Sequence, residues 1–286
     1  MSGPKAWGPP GESPVELLRV RGSEARPDED RLAGEEPLEI RLRAGGEERS
    51  LALTMRTPGA DFELAVGFLA TEGVVKAPEE IARVFLPEDA WAAPGDGRNV
   101  VVVELTAAGL PELARLERHF FASSACGVCG RAGIENLRLG GLAPPEPGFE
   151  IAVSALYRLP AALKERQGVF ARTGGLHAAG LFSATGELLD VAEDVGRHNA
   201  LDKLLGRAFR AGGWPLSSYG VLVSGRASFE IVQKSLAAGV SLVASISAPS
   251  SLAVLLAQEL GLGLASFLRD DRVNLYSVPE RVRLEP

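Results

Sequence analysis

Cys126 and Cys129 are the only two thiols in the 286 residues, and they share one short string, Cys126-Gly127-Val128-Cys129-Gly130. A thiol becomes a useful nucleophile when its thiolate is populated, which takes exposure and nearby positive charge or backbone donors. Gly127 and Gly130 permit turns that aim successive N–H groups at a sulfur, and Arg131 adds a cation close in sequence. The string therefore predicts an accessible loop with Cys126 as a sulfur carrier. Other chemistries compete for the same residues. A CxxC pair suggests dithiol exchange, although such pairs normally open a helix after an early strand, and this one lies mid-chain among glycines. Structural zinc would have to draw further ligands from His119, His177 or His198, none at finger spacing. A deaminase zinc site requires His-x-Glu before Pro-Cys-x-x-Cys, whereas here Ala125 precedes the pair and His177-Ala178-Ala179 comes after it. The plainest alternative is two small apolar residues filling space, but a polar, glycine-rich loop makes poor core. No metal ligands are assigned.

A second group of ionisable residues surrounds two strand-to-helix junctions and a charged stretch between strands. Arg172 to His177 and Glu193 to Lys203 pack ionisable residues, His177 and His198 among them, beside glycines. A helix opening there offers free N–H groups to an anion. The competing reading is a salt-bridged connector in which Glu193 and Asp194 favour the helix dipole. Ser224-Gly225-Arg226 repeats the pattern, with Gly225 for close approach and Arg226 as an anion ligand, but without the spacing of a nucleotide-hydrolysing P-loop. Finally, Phe267-Leu268-Arg269-Asp270-Asp271-Arg272 brings together arginines able to grip a diphosphate and aspartates able to accept from guanine N–H groups. A solvated charged turn between two strands is the alternative.

The elements that must hold these residues follow from composition and period. With 46% apolar residues the chain can bury a core without staples, and a disulfide between cysteines three apart would restrain little. A net charge of -7 argues against nucleic-acid binding. No apolar run reaches membrane-span length and the start lacks a signal-peptide centre, so a cytoplasmic protein without membrane partners is expected. Residues 1–36, rich in Pro, Gly and charge, read as a mostly mobile arm with a short strand near 15–20. Alternation predicts strands at 38–42 and 50–55 around Gly45-Gly46, then a helix from a cap near 57–61 that stops at Gly73, and strands at 81–86 and 99–105. Residues 37–147 thus form a smaller mixed α+β domain ending in the cysteine loop. From 148 to 286 a helix at 154–167, strands at 177–183 and 188–192, and further alternating helices and strands read as an α/β domain. Short continuous runs at 221–223 and 242–246 suit strands covered on both faces.

Taken in order, the Cys126 to Gly130 string, Thr173 to His177, Glu193 to Lys203, Ser224 to Arg226 and Phe267 to Tyr276 resemble the formate dehydrogenase accessory sulfurtransferases of the FdhD/NarQ family. The resemblance covers nearly all of the chain from about residue 36. It implies a cytidine-deaminase-like α/β fold without the zinc site, joined to a smaller mixed domain, and commonly a homodimer. It implies a sulfurtransferase that takes persulfide sulfur from a cysteine desulfurase and passes it to the molybdenum or tungsten of the bis-molybdopterin guanine dinucleotide cofactor for formate dehydrogenase. That cofactor is bound as substrate, with no permanently held metal. Cys126 would be the carrier and Cys129 its assistant or resolving thiol. Phe267, Leu268, Arg269, Asp270, Asp271 and Arg272, with Ser224, Arg226, His177 and His198, would bind the cofactor. Family members usually carry Gly where this chain has Asp270. A non-catalytic escort of guanine dinucleotides would need Arg226, Arg269 and Arg272 but not Cys126, and a dithiol oxidoreductase would cycle a Cys126–Cys129 disulfide.

Overall fold

The apolar alternation at 38–42 and the short continuous runs at 221–223 and 242–246 each become strands of a different sheet in the computed structural model, which describes residues 11–87, 99–111 and 142–284. The first sheet has four strands in the order β4-β3-β6-β5, made of β3 (Glu36–Ala44), β4 (Glu47–Arg56), β5 (Ile81–Phe85) and β6 (Val100–Leu105). Leu38, Ile40 and Leu42 point to its inner face and are fully buried against α1 (Asp61–Thr71). Ala60 at the start of that helix supplies no side-chain cap, so the cap expected near 57–61 takes another form. Asp61 in the first turn pairs instead with both Nε and Nη2 of buried Arg56, at 2.9 and 3.0 Å.

The second sheet has six strands. β8 (His177–Ser183), β9 (Leu188–Asp194), β10 (Tyr219–Val223), β11 (Leu242–Ser245), β12 (Gly263–Arg269) and β13 (Arg272–Ser277) lie in the order β13-β12-β11-β10-β8-β9. β10, β11 and β12 are parallel, and the outer pairs are antiparallel. Val221, Val223, Val243 and Leu264 pack on one face with α4 (Arg197–Arg210), α5 (Phe229–Ala237) and α6 (Ser251–Glu259). Leu222, Leu242, Ala244 and Ala265 pack on the other with α2 (Val153–Arg166). Strands buried on both faces have no polar alternation, which is why these runs are continuous. α3 (Gly168–Thr173) follows α2, and β7 (Ile151–Ala152) pairs in parallel with β14 (Val282–Arg283). Among the described residues no helix is long and apolar enough to cross a membrane.

Within the stretch read as a mostly mobile arm, residues 12–33 form a hairpin of β1 (Glu12–Arg21), which takes in the short strand expected near 15–20, and β2 (Glu24–Ala33), turning at Gly22. Its charges are cross-strand partners, Arg19 with Asp28 among them. Buried Glu12 ties its base to Arg172 of α3, and that guanidinium, with Arg31, holds the Glu12 carboxyl below its ordinary range.

The two sheets are joined through α1 and α4, which cross with their backbones almost touching. A Cβ on Gly67 would lie 1.9 Å from the Asp202 carbonyl oxygen, and one on Gly206 would lie 2.0 Å from that of Glu63. Only glycine fits at such an approach. A buried polar seam follows the crossing. Lys234 of α5 reaches Asp202 at 3.0 Å, Thr71 at 2.9 Å and Glu72 at 3.2 Å. Burial raises the Asp202 carboxyl and opposes the Lys234 ammonium, yet Asp202 and Glu72 hold Lys234 above its usual value.

Candidate functional site at the carboxyl edge of the six-stranded sheet

Because β10, β11 and β12 run parallel, their carboxyl ends meet along one edge, the usual position of a ligand crevice in α/β sheets. Ser224, Gly225 and Arg226 leave β10 there, Ser247 follows β11, and Phe267 lies near the end of β12. β8 runs the other way, so its first residue, His177, reaches the same edge, and β9 delivers Asp194 and the start of α4 to it. The topology therefore gathers His177, His198, Ser224, Arg226 and Phe267 from separate parts of the chain.

Gly225 lies against His177, where an added Cβ would be 3.3 Å from Nδ1 of the imidazole and 3.9 Å from the Arg197 Cβ. Partial burial, then Arg197 and His198, hold the His177 imidazole below its ordinary pKa, so it is neutral at pH 7. Arg197 keeps its Nε buried and without a hydrogen-bond partner. The Ser224 hydroxyl accepts from the Ala178 N–H at 2.9 Å and the Ser224 N–H donates to the Ala178 carbonyl, continuing the β10–β8 ladder past the strand end. Arg226 is exposed.

His198 sits in the first turn of α4 with Nε2 at 3.3 Å from the Ser228 hydroxyl and 3.6 Å from a Glu230 carboxylate oxygen. His198 and Ser228 hold the Glu230 carboxyl down to about 2. The neighbouring acids have structural work. Asp194 accepts from the N–H groups of Thr57 and Gly196 and pairs with Lys203 at 2.7 Å, while Glu193 caps α3 through the N–H groups of Val169 and Phe170. Asn199 donates to the Met55 carbonyl at 2.8 Å. The connector reading thus describes Glu193, Asp194, Asn199 and Lys203, whereas Arg197 and His198 remain at the shared sheet edge. Glu193 favours the amino end of α3, not that of α4.

The segment from Phe267 to Arg272 divides the same way. Phe267 has a positive φ of 57° at a break in the β12–β13 register, and its N–H donates to the Ser247 carbonyl. A bulky residue in that conformation is strained and marks a point where the strand is re-aimed. The Leu268 side chain is fully buried in the core and anchors the segment from inside. Arg269 and Arg272 are opposite one another across a turn of Asp270 and Asp271, all four exposed. Asp270 has φ 42°, a left-handed conformation that glycine adopts freely and aspartate tolerates. This accounts for the glycine usual at that position in the family that the sequence resembles. The turn lies past the last residue pair of β11 and β12, so it projects beyond the shared edge. Cys126 and Cys129 lie outside the described residues. Arg197 and Glu230 were not singled out from the sequence as ligand-facing, since only the fold sets them beside His177 and His198.

A model of the FdhD/NarQ family matches residues 33–283. "Sulfur carrier protein FdhD" of Streptomyces avermitilis is 46% identical over 272 residues, 94% of each chain, and the protein of that name from Sulfurisphaera tokodaii is 40% identical over 268 residues, 94% of this chain and 98% of its own. A crystal structure from Desulfotalea psychrophila, described as that of a formate dehydrogenase accessory protein, shares the fold. Its TM-score is 0.73 at 22% identity, covering 96% of this chain and 100% of that one. Two thirds or more of the length is matched in each case, and the chain belongs to the FdhD/NarQ family.

Proposed function

We propose that this chain is a sulfurtransferase that accepts sulfur from a cysteine desulfurase as a persulfide on Cys126. It then presents that sulfur to the molybdenum or tungsten of a bis-molybdopterin guanine dinucleotide destined for formate dehydrogenase. The observation that carries the reading is membership of the family at 40–46% identity to relatives named as sulfur carriers. The crevice supports its cofactor half. Arg226, Arg269 and Arg272 are exposed cations suited to phosphate, and neutral His177 with His198 offers further hydrogen bonding. Asp270 and Asp271 are acceptors suited to guanine, and the Phe267 to Arg272 and Ser224 to Arg226 segments leave the sheet on either side of β11.

The sulfur step is a thiol–disulfide type exchange. The Cys126 thiolate attacks the outer sulfur of the desulfurase persulfide, the S–S bond of the donor breaks, and the desulfurase cysteine leaves as thiolate. Cys129 assists or resolves. The same reading takes the six-stranded sheet and its flanking helices as a cytidine-deaminase-like layer, the smaller sheet with α1 as a second domain, and the working form as a cytoplasmic homodimer. The test is Cys126→Ala in a host lacking its own copy. Loss of formate dehydrogenase maturation with guanine nucleotide binding intact supports the carrier role, and retained maturation makes the chain a non-catalytic cofactor escort.

A further inference from the structure

Of the ionisable groups at the crevice, Glu230 has a role that the cofactor-binding reading does not use. It is half-exposed in the first turn of α5, and its carboxylate faces Nε2 of His198 at 3.6 Å with the Ser228 hydroxyl beside both. An ionised carboxylate only accepts hydrogen bonds. The Ser228 hydroxyl, 3.3 Å from the same nitrogen, can donate or accept, so the carboxylate is the neighbour that favours a proton on Nε2. Arg197, which acts on the nearby His177, is a guanidinium and accepts nothing.

We propose that Glu230 is a positioning residue that holds the neutral His198 ring in its Nε2–H form, so that Nδ1 becomes an acceptor for an N–H or O–H group of the bound ligand. This rests on the guanine nucleotide reading of the crevice for the identity of the ligand, but not for the state of the ring. For the neutral ring it sets a specificity rule: the ligand atom meeting Nδ1 of His198 is a donor such as a nucleobase N–H or ribose hydroxyl, and not a phosphate oxygen.

Nitrogen-15 NMR of the full chain with labelled histidine, at about pH 9 where an ordinary imidazole is neutral, reads the tautomer directly, with His198→Gln identifying the signal. The wild type should show Nε2 protonated. Glu230→Ala should shift the ring toward a mixture and weaken GDP binding about tenfold, the loss of one hydrogen bond. Glu230→Gln, which keeps an acceptor oxygen, should fall between. A wild-type ring protonated at Nδ1, or a Glu230→Ala protein with unchanged tautomer and GDP affinity, would overturn the proposal. Absence of GDP binding to a wild type whose ring is Nε2–H supports the hold of Glu230 on the ring and removes the nucleotide reading instead.

Discussion

Replacing Gly67 by Ala sets two well-measured effects against each other. In an isolated helix the change would stabilise α1 by about 0.8–1 kcal/mol. At the crossing with α4, however, the new methyl would sit 1.9 Å from the Asp202 carbonyl oxygen, 2.7 Å from its carbon and 2.9 Å from the Gly206 nitrogen, all of them backbone atoms. Ordinary contact begins at 3.4 Å, so the helices must part by more than 1 Å. Overpacking of that kind costs about 1–3 kcal/mol. The displacement also stretches the polar bonds that α4 makes across the seam, where Asp202 holds Lys234 at 3.0 Å and Thr71 at 3.0 Å. Breaking a buried pair costs a further 3–5 kcal/mol when one partner is left alone. Partial relaxation places the net effect at about 2–4 kcal/mol of destabilisation. Because α4 begins with Arg197 and His198, GDP affinity should fall as well. Urea denaturation of Gly67→Ala and Gly206→Ala, read at constant m, measures the first and calorimetric titration the second. A neutral or stabilised Gly67→Ala protein would refute the close crossing.

Three further outcomes follow from groups outside the crossing. Arg281 is 7% exposed, with Nε and Nη1 unpartnered and burial holding its guanidinium below the ordinary range, so Arg281→Met should raise stability by about 1–3 kcal/mol, and a lower urea midpoint would show a partner for that charge. Asp270→Gly relieves a positive φ and should stabilise by up to about 1 kcal/mol, whereas a fall would mean that the Asp270 carboxylate holds the turn. Protonating His177 is less favourable in the folded chain than in the unfolded one, so melting temperature should begin to fall as pH drops below about 6.5. Glu230 and Glu12, both depressed by their partners, add losses from about pH 4.5 downward, with Glu230 titrating near 2. His177→Asn should remove the first loss, and a first loss that survives it would refute that assignment.

Local pattern carried most of the elements, because the alternation at 38–42 and the glycines at 45, 46 and 73 encode strand, turn and stop without help from distant residues. Of the hairpin, the strand near 15–20 was legible but its partner β2 was not, since Pro27 and the charges near it look like linker until Asp28 finds Arg19 across the turn. The candidate site was legible as motifs but not as an arrangement. His177, His198, Ser224 and Phe267 each stood out beside glycine, charge or an apolar strand, yet their meeting depends on three parallel strands and one antiparallel neighbour sharing an edge. Asp194 reads as part of a salt-bridged connector, and the packing of α4 on the segment from Met55 to Thr57 shows how it and Lys203 form a staple there. Leu268 lies inside a charged motif, but its side chain belongs to the core.

The carrier role of Cys126 is tested most directly by intact-mass analysis after incubation with a cysteine desulfurase and L-cysteine. Wild type should gain one sulfur, about 32 Da, removable by reductant; Cys129→Ala should also gain it, and Cys126→Ala should not. Equal sulfur loading on Cys126→Ala, or none on wild type, would contradict the account.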